Sequence, residues 1–250
     1  DKVIFLKSGS PTMPGFELPG CPDWAEEYGG LVKDQPITEP DPETPVEFDD
    51  PLAILYTSGT TGNPKGAILS HAQTYFKNFQ VGMYSGASSG DVNIIQLPLF
   101  HSGGLFIGAT PCLCAGSTMV MRRGFDPNEF AQDIERYRAT IVGALTTMWR
   151  MILETGKLDE IDTSSVRRVF GGGERTPPSM FEELAKRGLH MQQGLGQTEN
   201  SFMMLLPKED VFRKMGSIGK PGFFTDVWIA REDGGRAGPG EIGEIVARGP

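Results

Sequence analysis

From residue 51 onward the apolar and polar positions alternate between two periods. Short apolar runs of strand length stand at residues 52–56, 92–97, 140–144, 167–170 and 189–193, and the first is expected to be a buried strand. Between them lie stretches with helical spacing. Ser70 is placed to cap a helix carrying Ala72, Tyr75, Phe76, Phe79 and Met83. Asp126-Pro127-Asn128-Glu129 reads as a helix start. Asp126 caps, Pro127 takes the first helical position, where a missing N–H is harmless, and Glu129 can close a capping box. Phe130, Ile134 and Tyr137 then form the buried stripe. Thr146 or Thr147 opens a helix through Met148, Ile152 and Leu153, and Thr176-Pro177-Pro178 opens another that ends at Gly188. Strands alternating with helices of this length make βαβ units. The pattern therefore predicts an α/β fold with mainly parallel sheet and helices on both faces.

The two ends of the chain break this pattern. Residues 7–51 show little periodicity, and the proline-rich acidic stretch at 36–45 is expected to be rigid and extended. Near the other end, residues 227–230 and 244–247 flank a turn-rich segment containing Asp233-Gly234-Gly235 and Gly238-Pro239-Gly240. That arrangement predicts antiparallel pairing and the start of a small β-barrel. The expected divisions are 1–82, the end of a first α/β subdomain; 83–206, a second; and 207–250, the start of the barrel subdomain.

Composition narrows the function classes. The 250 residues carry a net charge of −9, which argues against a nucleic-acid binder with its usual basic face. No apolar run approaches the roughly 18–20 residues that span a bilayer, so membrane contact is expected to be peripheral at most. Asp1-Lys2-Val3-Ile4 has neither an initiator Met nor a signal pattern, and the sequence reads as a segment of a longer chain. Three cysteines are an odd number, and Cys112-x-Cys114 is too tight for a Cys-x-x-Cys motif. Buried inert thiols in a reducing, cytoplasmic setting are expected. His71, His101 and His190 are scattered, which argues against a zinc site.

Candidate chemistry concentrates in Thr57-Ser58-Gly59-Thr60-Thr61-Gly62-Asn63-Pro64-Lys65-Gly66. Glycines let backbone N–H groups turn toward an anion, hydroxyls add donors, and Lys65 supplies a cation; together they suit a polyphosphate. The loop is not a Walker A motif, because Pro64 precedes the lysine and Gly66 follows it.

This loop resembles the phosphate loop of the adenylate-forming superfamily, which includes acyl-CoA synthetases, luciferases and peptide-synthetase adenylation domains. Four further matches follow in order: Pro98-Leu99-Phe100-His101-Ser102-Gly103-Gly104; Gly171-Gly172-Gly173-Glu174; Gly194-Leu195-Gly196-Gln197-Thr198-Glu199; and the Gly216–Pro221 and 240–250 segments. By resemblance, Thr57, Ser58, Gly59, Thr60, Thr61, Gly62 and Lys65 hold the β- and γ-phosphates of ATP. Thr198 contacts the α-phosphate and Glu199 ligates Mg²⁺, in keeping with the preference of that ion for carboxylate and phosphate oxygens. Gly172, Gly173 and Glu174, with Gly194, Leu195, Gly196 and Gln197, line the AMP side; Glu174 reads equally as a charge near a helix start. His101 sits near the acyl carboxylate and orients it. An aromatic residue is usual where Leu195 stands, so apolar contact with adenine is kept and stacking is lost.

The resemblance implies ATP-dependent activation of a carboxylic acid to an acyl-adenylate, then transfer to CoA, with a fatty acid as the expected substrate. Family members continue past Pro250 with a ribose-binding Asp and a small domain that carries a catalytic Lys. These 250 residues are therefore expected to bind nucleotide weakly and turn over nothing measurable by themselves. Sheet edges cut in this way leave room for a homo-oligomer. The alternatives are adenylation of an aromatic or amino acid, a P-loop NTPase, a Rossmann oxidoreductase and a non-catalytic nucleotide-binding homologue. The absent Gly-Lys-Ser/Thr argues against the NTPase, and the absent third glycine near Gly194 and Gly196 against the oxidoreductase.

Overall fold

The computed structural model describes residues 4–5, 20–38, 44–59 and 62–250. They fall into two units, Asp1–Val46 and Glu47–Pro250. In the first, β1 (Ile4–Phe5) pairs in parallel with β2 (Glu26–Glu27), and α1 (Tyr28–Val32) follows. Within the proline-rich stretch at 36–45, residues 39–43 lie outside the described residues.

The second unit begins with a hairpin, β3 (Pro51–Thr57) and β4 (Lys65–Ser70). The first of these strands is not buried as expected. A two-stranded ribbon covers one face only, so Leu55 packs with Leu69 and Phe106 while Leu52, Ile54 and Tyr56 alternate outward. Ser70 then caps α2 (His71–Ser85), its hydroxyl accepting from the Gln73 N–H at 3.1 Å.

Next come β5 (Val92–Ile95), a π-helix over Gly103–Ala109, α3 (Thr110–Ala115), β6 (Thr118–Met121), α4 (Pro127–Arg136), β7 (Ile141–Leu145) and α5 (Thr146–Glu154). They are followed by β8 (Arg168–Gly172), α6 (Pro178–Ala185), β9 (Met191–Gln197), β10 (Ser201–Leu205) and β11 (Lys220–Pro221). These strands form one seven-stranded sheet in the order β11-β10-β9-β8-β7-β5-β6. The run from β6 to β9 is parallel, and β10 and β11 add antiparallel at one edge. A separate hairpin joins β12 (Asp226–Ala230) to β13 (Glu244–Arg248), as the turn-rich segment predicted.

The α4–α6 face of the sheet holds the main core: Ile94, Val169 and Met191 from the strands meet Phe130, Ile134, Trp149, Ile152, Phe181 and Leu184 from the helices. Local chemistry explains how α4 enters it. Asp126 Oδ1 accepts from the Asn128 and Glu129 N–H groups, each at 2.9 Å. Glu129 pairs with Arg122 at 3.3 Å instead of closing a capping box, and Arg122 also holds the buried Asp133. Tyr137 lies outside the buried stripe: it is the C-cap, partly exposed under Arg136.

Two further expectations change. The apolar stretch around Cys112 and Cys114 is helical, so the two thiols face different ways. Cys112 is buried, with its pKa pushed up by burial, whereas Cys114 is exposed. The α2 helix buries the opposite face from the one its aromatics predict. Gln73, Thr74, Lys77 and Gln80 are buried, while Tyr75, Phe79 and Met83 are exposed and Tyr75 packs edge-on against Phe48 and Phe79.

Candidate active site

Five strands run in parallel, so their C-terminal ends share one edge of the sheet, the usual place for ligands in such folds. Three of the predicted segments arrive there. β5 runs on through Gln96 and Leu97 to His101, β8 ends at Gly172 with Gly173 beyond, and β9 carries Gly194, Leu195, Gly196 and Gln197 up to Thr198. All of these line one cavity of about 350 Å³ between the sheet and the α2, π-helix and α3 layer. Close backbone approach explains two of the glycines. A side chain at Gly196 would strike the Ser201 backbone, and one at Gly104 would strike the Leu97 and Pro98 carbonyls, against which the π-helix is packed.

His101 is oriented by its own turn. Its Nδ1 accepts from the Gly103 N–H at 3.0 Å. A neutral imidazole in that bond carries its proton on Nε2, leaving a donor for an anionic oxygen in the cavity. Leu195 is half-buried and supplies an apolar wall.

The phosphate-loop residues are placed differently. Thr57 closes β3 and Lys65 opens β4, so the loop is the tip of a hairpin rather than the strand-to-helix turn of a Walker A site. The Thr57 hydroxyl donates to the Lys65 carbonyl at 3.4 Å. Gly59 and Gly62 have φ of 65° and 91°, a region that glycine enters freely. Thr60 and Thr61 lie outside the described residues. Thr57, Ser58, Gly59, Gly62, Lys65, Glu174 and Glu199 are not among the residues that line the cavity. Lys65 and Glu199 are exposed.

Glu174 contributes through its backbone. Its carbonyl accepts from the Thr146 hydroxyl at 3.4 Å and from Gln193 Nε2 at 3.5 Å. The helix-start reading does not hold, because α6 begins at Pro178 with no acid in its first turn. Thr176, expected to open that helix, is buried and bonds Thr146 at 2.8 Å.

Sequence reasoning missed the polar stripe of α2. Gln73 Nε2 donates to the Glu199 carbonyl at 2.5 Å, and Gln80 Nε2 donates to the Phe202 carbonyl at 2.6 Å. Gln80 Oε1 accepts from the Phe224 N–H at 3.1 Å and the Thr225 hydroxyl at 3.3 Å. Lys77 Nζ reaches Thr225 Oγ1 at 2.5 Å, and burial pulls its pKa down to about 8. The helix that follows the phosphate-loop hairpin is thereby tied to the Glu199 turn. The signal was in the sequence, since Gln73, Lys77 and Gln80 stand at i, i+4 and i+7.

No cluster of three or more His, Cys, Asp or Glu placed to hold a metal occurs among the described residues. An exposed Glu199 beside Thr198 suits Mg²⁺, which takes one or two carboxylates and completes its shell with phosphate oxygens and water. No helix among the described residues is long and apolar enough to cross a membrane.

Known proteins are similar to this chain in sequence and in fold. The chain is 36% identical over 210 residues to a feruloyl-CoA synthase of Amycolatopsis, covering 84% of this chain and 43% of that protein. It thus spans less than half the length of that relative. The N-terminal domain of FACL13 from Mycobacterium tuberculosis superposes with a TM-score of 0.82 at 28% identity, over 90% of this chain and 56% of that one. The o-succinylbenzoate CoA synthetase of Bacillus subtilis, solved with a product analogue, gives 0.80 at 30% identity, over 90% and 46%. Residues 14–250 match the family of AMP-binding enzymes, and the chain belongs to that family.

Proposed function

We propose that the protein carrying this chain activates a carboxylic acid with ATP to an acyl-adenylate, releasing pyrophosphate, and then passes the acyl group to the CoA thiol as AMP leaves. The observation that carries this reading is the single cavity shared by His101, Gly172, Gly173 and residues 194–198, in a chain of the AMP-binding family. A carboxylate and a triphosphate repel each other, so catalysis rests on placing donors and cations between them. His101 offers its Nε2–H to the carboxylate. Thr57, Ser58, Gly59, Gly62 and Lys65, with Thr60 and Thr61 of the same sequence motif, bind the β- and γ-phosphates, and Thr198 donates to the α-phosphate. Mg²⁺ held by Glu199 supplies charge neutralisation on the phosphates. Gln73 fixes the Glu199 backbone. Gly172, Gly173, Glu174 and Leu195 to Gln197 form the AMP side.

The same reading keeps the divisions near residues 82 and 206. The three free cysteines suit a reducing, cytoplasmic setting. The acid is proposed to be an aryl acid rather than the fatty acid of the first expectation. Feruloyl and o-succinylbenzoyl groups, named in two of the relatives, are both aryl. A cavity of about 350 Å³ is also small for a long alkyl chain beside a nucleotide.

Acid-dependent ATP–pyrophosphate exchange tests the proposal on the full chain that carries this segment. Exchange with aryl acids, lost in Lys65→Ala and His101→Ala, is the expected result. No exchange with any acid, in a folded protein that binds Mg-ATP, would overturn it in favour of a non-catalytic homologue.

A further inference from the structure

The cavity is polar at both ends and apolar between. His101 and Thr198 stand at the catalytic end, and Ile95, Ile107 and Phe170 wall the middle. The far end lies at the N-terminal level of the strands. Asn93 is near the start of β5, Ser117 immediately precedes β6, and Ser85 closes α2. Ile94 packs into the opposite core. By the period-two alternation of a strand, Asn93 and Ile95 therefore point into the cavity layer.

The hydrogen bonds at this end leave the Asn93 amide with an unused acceptor and a second N–H proton. The Ser117 hydroxyl donates to the Cys112 carbonyl at 3.3 Å, which uses its only proton. With its proton there, Ser117 accepts from Asn93 Nδ2 at 3.2 Å, which leaves Asn93 Oδ1 on the other side of the amide. Asn93 is 7% exposed and lines the cavity, and its Oδ1 has no hydrogen-bond partner among the described residues. Behind it the floor is sealed by charge already paired. Arg167 holds Asp91 at 2.5 Å and the Ser85 carbonyl at 2.6 Å, and Thr140 donates to Asp91 at 2.7 Å.

An alkyl tail reaching this floor would displace water from Asn93 Oδ1 and replace it with nothing, which weakens its binding. A hydroxyl would complete the set. An ammonium would be desolvated beside the Arg167 guanidinium with the Asp91 carboxylate already taken. We propose that Asn93, held by Ser117, is a specificity-determining residue that accepts a hydrogen bond from a neutral hydroxyl at the far end of the acid. From residue 93 to residue 97 the chain climbs about 13 Å at about 3.3 Å per residue, room for a ring and a short linker. The substrate class is thus a hydroxyaryl acid with the hydroxyl distal to the carboxylate. The inference rests on the acid-activating reading of the same cavity.

The test compares 3-(4-hydroxyphenyl)propenoic acid with its unsubstituted phenyl analogue on the full chain, by acid-dependent pyrophosphate exchange and by calorimetric binding. The wild type should favour the hydroxy acid about tenfold or more in KM and in Kd. Asn93→Leu should abolish that preference by weakening the hydroxy acid while the phenyl acid binds as before. Should Asn93→Leu not fold, Ser117→Ala, which frees the amide to turn, should reduce the same ratio. A wild type that treats the two acids alike, an Asn93→Leu protein that weakens both equally, or a Ser117→Ala protein with an unchanged ratio overturns the proposal. A tenfold binding preference without exchange for any acid would keep the subsite and remove the reaction. Exchange without preference would do the reverse.

Discussion

The two faces of the seven-stranded sheet are furnished in opposite ways. On the α4–α6 side, Trp149, Ile134, Phe181 and Leu184 fill the space between sheet and helices with apolar volume at 1% exposure or less. On the α2 side, buried positions hold Gln73, Lys77, Gln80, Asn93 and Gln96 beside Phe106 and Val81, and a cavity remains open. The first face is organised by packing, which is non-directional and tolerant of how the volume is filled. The second is organised by hydrogen bonds that each have one geometry, because a buried polar group without a partner is costly. One sheet thus carries a packed apolar core on one side and a polar-lined cavity on the other.

Substitutions can break or sharpen this contrast. Trp149→Ala should act on the packed face alone. It empties a fully buried site and removes the bond from the indole N–H to the Phe170 carbonyl at 2.9 Å, for a loss of about 3–5 kcal/mol in urea unfolding. Lys77→Met should do the opposite on the polar face. The folded pKa near 8 lies below the ordinary 10.5, so the folded state gives up this proton first and stability rises with pH between those values. Below pH 8 the charged lysine therefore costs the fold about 3 kcal/mol. The methionine variant should be more stable than the wild type by up to about that amount at pH 7, with the gap closing toward pH 10.5 in melts across that range. A gap independent of pH would show that the lysine is buried without the expected strain.

Smaller effects separate recognition from folding further. Gln73→Leu removes the bond to the Glu199 carbonyl and should slow pyrophosphate exchange about tenfold in kcat, leaving KM for the acid unchanged. An equal change in both parameters would mean general disruption of the turn. Asp126→Ala, on the packed side, should cost about 1 kcal/mol through loss of the α4 cap, with no effect on acid preference.

Local chemistry made much of this molecule readable in one dimension. The Asp126 and Ser70 caps depend on residues within three positions, and both stand as read. The parallel strands at 92–95, 141–145 and 168–172 follow from apolar runs bounded by turns. What was misread depends on distant partners. Ser201–Leu205 went unread as a strand because it is buried on both faces and shows no alternation; it exists by pairing with β9 across a turn where Ser201 takes a φ of 56°. The π-helix escaped because its wider turn matches neither the helical nor the strand period. The α2 helix presents two stripes of helical period, one aromatic and one polar, and periodicity cannot choose between them.

The sequence by itself determined most of the helices and parallel strands, the α/β class, the Gly/Thr/Lys loop and the residues that mark the AMP-binding family, because turns, caps and backbone-close glycines are short-range requirements. Only the tertiary structure decided which face of α2 is buried, that Gln73 holds the Glu199 turn, and that Asn93 faces the end of the cavity with an oxygen left over. Those outcomes are set by which groups, far apart in the chain, meet where water is excluded, and burial without a partner is what makes each of them consequential.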